Sequence, residues 1–255
     1  MTLLALDFDG VLCDSARETG ISAWKAHAAI RGEDSSFMPP DALLAAYRRV
    51  RPVVEAGHEA LLVVELLKEG FSPAELLARF PEHGARSMAE MDWDHEKLKR
   101  FFGAARDHWI ETDADEWSSL SPLYPGIAGF LRDPPPGVES YIITTKQERF
   151  VRRLLAYNDI GFPTERIFGL DRGVPKENIL LDLSRHHPGR RLCFVEDRLA
   201  TLVRVMEHSD LAAVHLYLAD WGYNTASDRE SARGSSIPVL DLDGFVALTF
   251  LENDR

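Results

Sequence analysis

The chain has 255 residues, 45% hydrophobic and 27% charged, with a formal net charge of -12 and two cysteines. That length suits one large domain, or a core carrying a smaller one, in an ordinary globular composition. The acidic balance disfavours nucleic acid, and Cys13 and Cys193 make neither a zinc pattern nor a disulfide framework. No apolar run approaches the length of a membrane span, and Asp7 interrupts the N-terminal apolar run early. The expectation is a cytoplasmic protein without membrane or nucleic-acid partners. The basic clusters "YRRVR" (47–51), "KLKR" (97–100) and "RFVRR" (149–153) read as solvated helix faces.

In chain order, residues 2–6 read as a strand that ends on "DFDG" (7–10). From about Ser15 to Trp117 the spacing is helical, through segments 21–30, 41–50, 55–69, 72–80 and 94–111. Ser72-Pro73 with Glu75 marks one helix start, and Asp41 after two prolines marks another. After Pro125-Gly126, short apolar strands are predicted at 138–144, 166–170, 191–195, 212–218 and 237–242. Helices at 147–160, 176–186 and 199–208 alternate with them. Continuous apolar strands alternating with helices imply a parallel sheet covered on both faces. The first strand belongs to this sheet, which makes the helical block an insertion. The expected architecture is a Rossmann-like α/β core, residues 1–14 and 122–255, interrupted by an all-helical domain, residues 15–121.

Ligands of open parallel sheets bind past the carboxyl ends of the strands. Those positions hold Asp7, Asp9 and Gly10; Thr144, Thr145 and Lys146; and Glu196-Asp197, with Lys176 opening a helix nearby. Crowded carboxylates repel one another and lose solvation. A hard divalent cation such as Mg²⁺ relieves both costs through oxygen ligands. One carboxylate then serves as nucleophile and a second, two residues on, as proton donor, while a hydroxyl and an ammonium hold phosphoryl oxygens.

This set, "DFDGVL", "IITTK", the lysine of "GVPKENIL" and "FVEDRLATL", resembles in order the four motifs of the haloacid dehalogenase (HAD) superfamily. The helical block falls where one class of that family carries its cap, "LYPGI" (123–127) resembles the return to the core, and "DWGYN" (220–224) resembles the loop after the fifth strand. The resemblance implies Asp7 as the nucleophile that becomes an aspartyl-phosphate, and Asp9 as general acid and base with its backbone carbonyl on the metal. It implies Thr144 on the phosphate, with Thr145, Lys146 and Gly10 as further substrate contacts. Lys176 would bridge Asp7 and the phosphate, and Asp197 with Glu196 would hold Mg²⁺. The implied activity is hydrolysis of a small-molecule phosphomonoester, and Asp9 argues against dehalogenation. Two departures stand out. Glu196-Asp197 replaces a frequent Gly-Asp, as in sugar-phosphate mutases of the family, with Thr201 where a further acid often lies. Thr145 replaces a frequent Asn. A mutase and a non-catalytic phosphate-binding protein are the alternative readings, and monomer and homodimer both remain open.

Each residue also has a bland role. Asp9-Gly10 fits a turn, Lys176 an exposed first-turn lysine, and Glu196-Asp197 a helix cap. The second "DLDG" (241–244) lacks later strands to complete a site, so it reads as turn and cap before a final helix over 244–253. In the helical block, Arg48, Arg51, Glu55 and His58 read as a charged helix surface broken by Pro52, with contact to a second anionic group of a substrate as the other reading. Trp24 and Trp109 read as core.

Overall fold

The apolar run at the N-terminus forms strand β1 (Thr2–Leu6), buried from Leu3 onward. The computed structural model describes residues 1–251. Six helices follow: α1 (Ala16–Ile30), α2 (Asp41–Val50), α3 (Ala60–Lys68), α4 (Pro73–Glu90), α5 (His95–Thr112) and α6 (Ala114–Ser119). Strands and helices then alternate: α7 (Ile127–Arg132), β2 (Val138–Ile143), α8 (Glu148–Tyr157), β3 (Ile167–Phe168), α9 (Lys176–His186) and β4 (Arg191–Glu196). The described chain finishes with α10 (Leu199–Glu207), β5 (His215–Ala219), α11 (Ala226–Gly234), β6 (Val239–Leu240) and α12 (Leu242–Val246).

The six strands form one parallel sheet in the order β3-β2-β1-β4-β5-β6. β1 lies at its centre, with Leu6 opposite Ile142 of β2 and Val195 of β4. The carboxyl ends of these three strands therefore share one edge, and the residues just past them become neighbours. Both faces are covered. Leu3, Ala5, Ile143 and Phe194 pack with Ile179, Leu180, Leu202 and Val205 of α9 and α10 on one side. Leu4, Leu6, Ile142 and Val195, pointing the other way, are equally buried. That double burial is why the strands read as unbroken apolar runs.

The chain divides into two compact units: Met1–Asp14 with the residues from Pro122 onward, and Ser15–Ser121. Within the helical unit, α1, α2, α3 and α4 bury Ala23, Tyr47, Leu61, Val64 and Leu76 together. Glu18 is fully buried there. Arg106 donates to both its oxygens at 2.8 and 2.6 Å, Ser22 Oγ at 2.6 Å and Trp117 Nε1 at 2.8 Å.

Several elements differ from the sequence reading for identifiable reasons. β3 and β6 are two residues each because they edge the sheet and pair on one side only. The helix expected over 55–69 starts at Ala60. Upstream, the Glu59 carboxylate accepts the Glu55 and Ala56 N–H groups, and this local cap holds a separate 3₁₀ turn over Gly57–Glu59. Ser72 caps α4 through the Glu75 N–H as its sequence implies, and the helix continues to Glu90 past a kink at Arg79, upstream of Pro81. Asp241 caps α12 by accepting the Gly244 N–H at 2.7 Å, so the second "DLDG" is a cap. The final helix stops at Val246, Leu248 takes a positive φ of 55°, and a 3₁₀ turn covers Thr249–Leu251. Glu252 and Asn253, the last residues of the expected helix, lie outside the described residues. No helix among the described residues is long and apolar enough to cross a membrane.

Candidate active site

The ladder between β1 and β4 continues one residue beyond the strand: Asp7 N–H donates to the Val195 carbonyl at 3.0 Å. This places the Asp7 carboxylate at the sheet edge with the residue 6% exposed. Glu196 closes β4 and Asp197 follows it, both within 1% of full burial. Lys176 is the first residue of α9, after Pro175, and its Nζ lies 2.7 Å from both Asp7 Oδ1 and Glu196 Oε2. One ammonium thus joins the ends of β1 and β4.

Burial disfavours the charged form of every carboxylate here, and the outcome depends on what opposes it. Asp7 is pushed up to about 7 by burial, with Glu196 and Asp9 adding repulsion that Lys176 only partly offsets. Glu196 moves below the usual range despite its burial, because Lys176, a side-chain hydrogen bond with Asp197 and the Arg198 N–H favour its charge. Burial would lower Lys176, but the two carboxylates hold it above the ordinary ammonium range.

Asp197 is fixed from the loop after β5. Its Oδ2 accepts the Tyr223 N–H at 2.6 Å, and its backbone carbonyl accepts Asn224 Nδ2 at 2.9 Å. The Tyr223 hydroxyl reaches Asp14 Oδ1 at 3.0 Å. Gly10 completes the packing: its φ is +92°, and a Cβ there would fall 2.0 Å from Asp197 Oδ2. Only glycine meets both demands. Tyr223 and Asn224 carry no role in the sequence reading. Their one signal was the strand-end position of "DWGYN".

The structure therefore gathers Asp7, Lys176, Glu196 and Asp197, with Gly10 packed against them. Asp9 forms a second pair beside this group, its Oδ1 3.0 Å from Lys146 Nζ. Thr144 is buried, with its N–H on the Phe168 carbonyl and its Oγ1 accepting the Lys146 N–H at 3.1 Å. Thr145 is exposed on the same turn. In the helical unit, Arg48 and Glu55 are exposed, but Arg51 and His58 are not the charged helix surface expected. Arg51 is buried and donates to the Val54 carbonyl at 2.8 Å, and His58 shares a hydrogen bond with His95 at 3.2 Å. α2 ends at Val50, and a 3₁₀ turn carries Arg51 inward.

Ligand oxygens of Asp7, Glu196 and Asp197 lie within 4.8 Å of one another. Lys176 pairs with two of the three carboxylates, and the donors are all hard oxygens. Such a set fits a hard divalent cation, whose charge would return Asp7 to its ionised form.

No protein-family model matches the chain, and no curated protein matches it. Solved structures do. A predicted phosphatase from Clostridium acetobutylicum superposes with a TM-score of 0.63 at 16% identity, covering 98% of each chain. A predicted phosphoglycolate phosphatase from Haemophilus somnus gives 0.60 at 14% identity, again over 98% of each. A haloacid dehalogenase-like hydrolase from Streptococcus pneumoniae gives 0.57 at 16% identity over 98% of each. At these identities the likeness speaks for the fold alone: a parallel α/β core with a helical insertion, shared with these structures.

Proposed function

We propose that the protein is a Mg²⁺-dependent phosphatase that cleaves small-molecule phosphomonoesters through a phosphorylated Asp7. The observation that carries this reading is the Asp7–Lys176–Glu196 chain at the sheet edge, with Asp197 in reach. A buried carboxylate held by a lysine at the end of a central strand supports a nucleophilic role, and the predicted phosphatases that share the fold support the same class of reaction.

In this reading Asp7 supplies one oxygen to the phosphorus while the ester oxygen departs. Asp9, two residues on, gives the leaving alcohol its proton and then takes one from the water that hydrolyses the acyl phosphate. Thr144 and Lys176 hold non-bridging oxygens, and Lys176 keeps Asp7 aligned. Asp7, Glu196 and Asp197 would hold Mg²⁺, which when bound supplies positive charge to draw the phosphoryl group and the carboxylates together. The Ser15–Ser121 unit is assigned as the cap that sets substrate choice.

The test is release of inorganic phosphate from a panel of sugar, nucleotide and glycolytic phosphomonoesters, with and without Mg²⁺. Metal-dependent release from at least one ester is expected. Folded protein that releases none with Mg²⁺ present contradicts the reading.

A further inference from the structure

Lys146 sits among the candidate substrate contacts, yet its side chain is already committed within the protein. That side chain is 1% exposed, and its ammonium grips both oxygens of Asp9, at 3.0 and 3.4 Å. The Asp9 side chain is 16% exposed, so the pair lies largely out of water.

The turn that delivers Lys146 is locked on both sides. Its N–H donates to Thr144 Oγ1 at 3.1 Å, and its carbonyl accepts the Leu170 N–H at 3.1 Å. Gly169 lies against the same carbonyl: a Cβ there would fall 2.7 Å from it. Fixing a lysine side chain costs on the order of 1.5–2 kcal/mol in rotamer freedom. Here burial along its stem and an anchored backbone restrict it before the ion pair forms. An aspartate has two side-chain torsions, and contact with both oxygens fixes the second as well as the first.

We propose that Lys146 is a positioning residue: it holds the Asp9 carboxylate in the orientation needed for proton transfer, and it does not bind substrate. The consequence for rate rests on the phosphatase reading above; the geometric claim does not. Proton transfer needs the carboxylate within hydrogen-bond reach of the reacting oxygen, and a misplacement of about 1 Å costs on the order of 10²-fold.

Two measurements test this. The first is steady-state kinetics of Lys146→Met, Lys146→Arg, Asp9→Asn and the Asp9→Asn/Lys146→Met double variant. Lys146→Met should lower kcat roughly 10- to 100-fold with KM nearly unchanged, and Lys146→Arg should recover most of the loss. The double variant should be no slower than Asp9→Asn alone, because Lys146 acts through Asp9. A raised KM at unchanged kcat, or losses that multiply in the double variant, overturns the proposal in favour of a substrate contact.

The second is a pair of crystal structures, wild type and Lys146→Met, in which the Asp9 carboxylate should turn away only in the variant. A carboxylate that keeps its place overturns the proposal even if no ester is turned over. Failure of the phosphatase reading shows separately, as wild-type protein that releases no phosphate. Lys146→Gln carries both comparisons if the methionine variant does not fold.

Discussion

In the helical unit Glu18 is wholly buried and each of its oxygens is answered, by Arg106, Ser22 and Trp117. At the strand ends Asp7, Glu196 and Asp197 are buried too, but there one ammonium, Lys176, pairs with both Asp7 and Glu196, and ligand oxygens of all three carboxylates lie within 4.8 Å of one another. Both regions bury carboxylates that the hydrophobic effect alone would reject. The first balances them within the fold and so reads as structure. The second holds Asp7 pushed up to about 7, mainly by burial, which marks it as the candidate site.

The largest contrast comes from removing each central carboxylate. Asp7→Asn should cut phosphate release on the order of 10⁴-fold, as loss of a nucleophile does. Its thermal midpoint should hold or rise, because a crowded buried charge has gone. Glu18→Ala should do the reverse. It takes the carboxylate away from buried Arg106, and should cost about 3–5 kcal/mol in a urea titration. Equal destabilisation by the two variants would erase the distinction drawn here.

Gly10→Ala sharpens the comparison at the site. The φ of +92° and the 2.0 Å approach to Asp197 Oδ2 forbid a methyl group without a shift. About 1–3 kcal/mol of strain should appear in the same titration, with weaker Mg²⁺ binding by calorimetry. A variant with wild-type metal affinity would mean that Asp197 is not held by this packing.

The smallest effect is a pair of opposed pH slopes. Between its ordinary value of 3.8 and about 7, folded Asp7 keeps a proton that the unfolded chain releases. Metal-free stability should therefore fall as pH rises through that window, and Mg²⁺ should flatten the slope. His58 in the helical unit works the other way. Burial, helped by the charge of His95, pushes it down to about 4, so its contribution is present above 6.5 and is lost as pH falls toward 4. Melting curves of wild type, Asp7→Asn and His58→Gln across pH, with and without Mg²⁺, separate the two. A slope in the upper window that survives in Asp7→Asn would assign it elsewhere.

The strand-end residues were legible because the central strands announce themselves. β2 and β4 are buried on both faces and paired on both edges, so their apolar runs stop where their carboxylates or hydroxyls begin. Pro175 likewise marks Lys176 as the start of α9. Legibility failed where partners come from afar. Arg51 and His58 look like surface charge until Val54 and His95 supply their hydrogen bonds. Lys146 meets the carboxylate of Asp9, 137 residues away in sequence, a pairing its strand-end position alone does not announce. Tyr223 holds Asp197 through its backbone N–H, which no side-chain pattern can advertise.

The most direct test of the central claim is to quench the wild-type protein in acid during turnover of its best phosphomonoester and map the phosphorylated peptide by mass spectrometry. The account predicts a phosphoryl group on the peptide that contains Asp7, absent without substrate and absent from Asp7→Asn. Steady phosphate release with no modified peptide, or with the group on another residue, would contradict it.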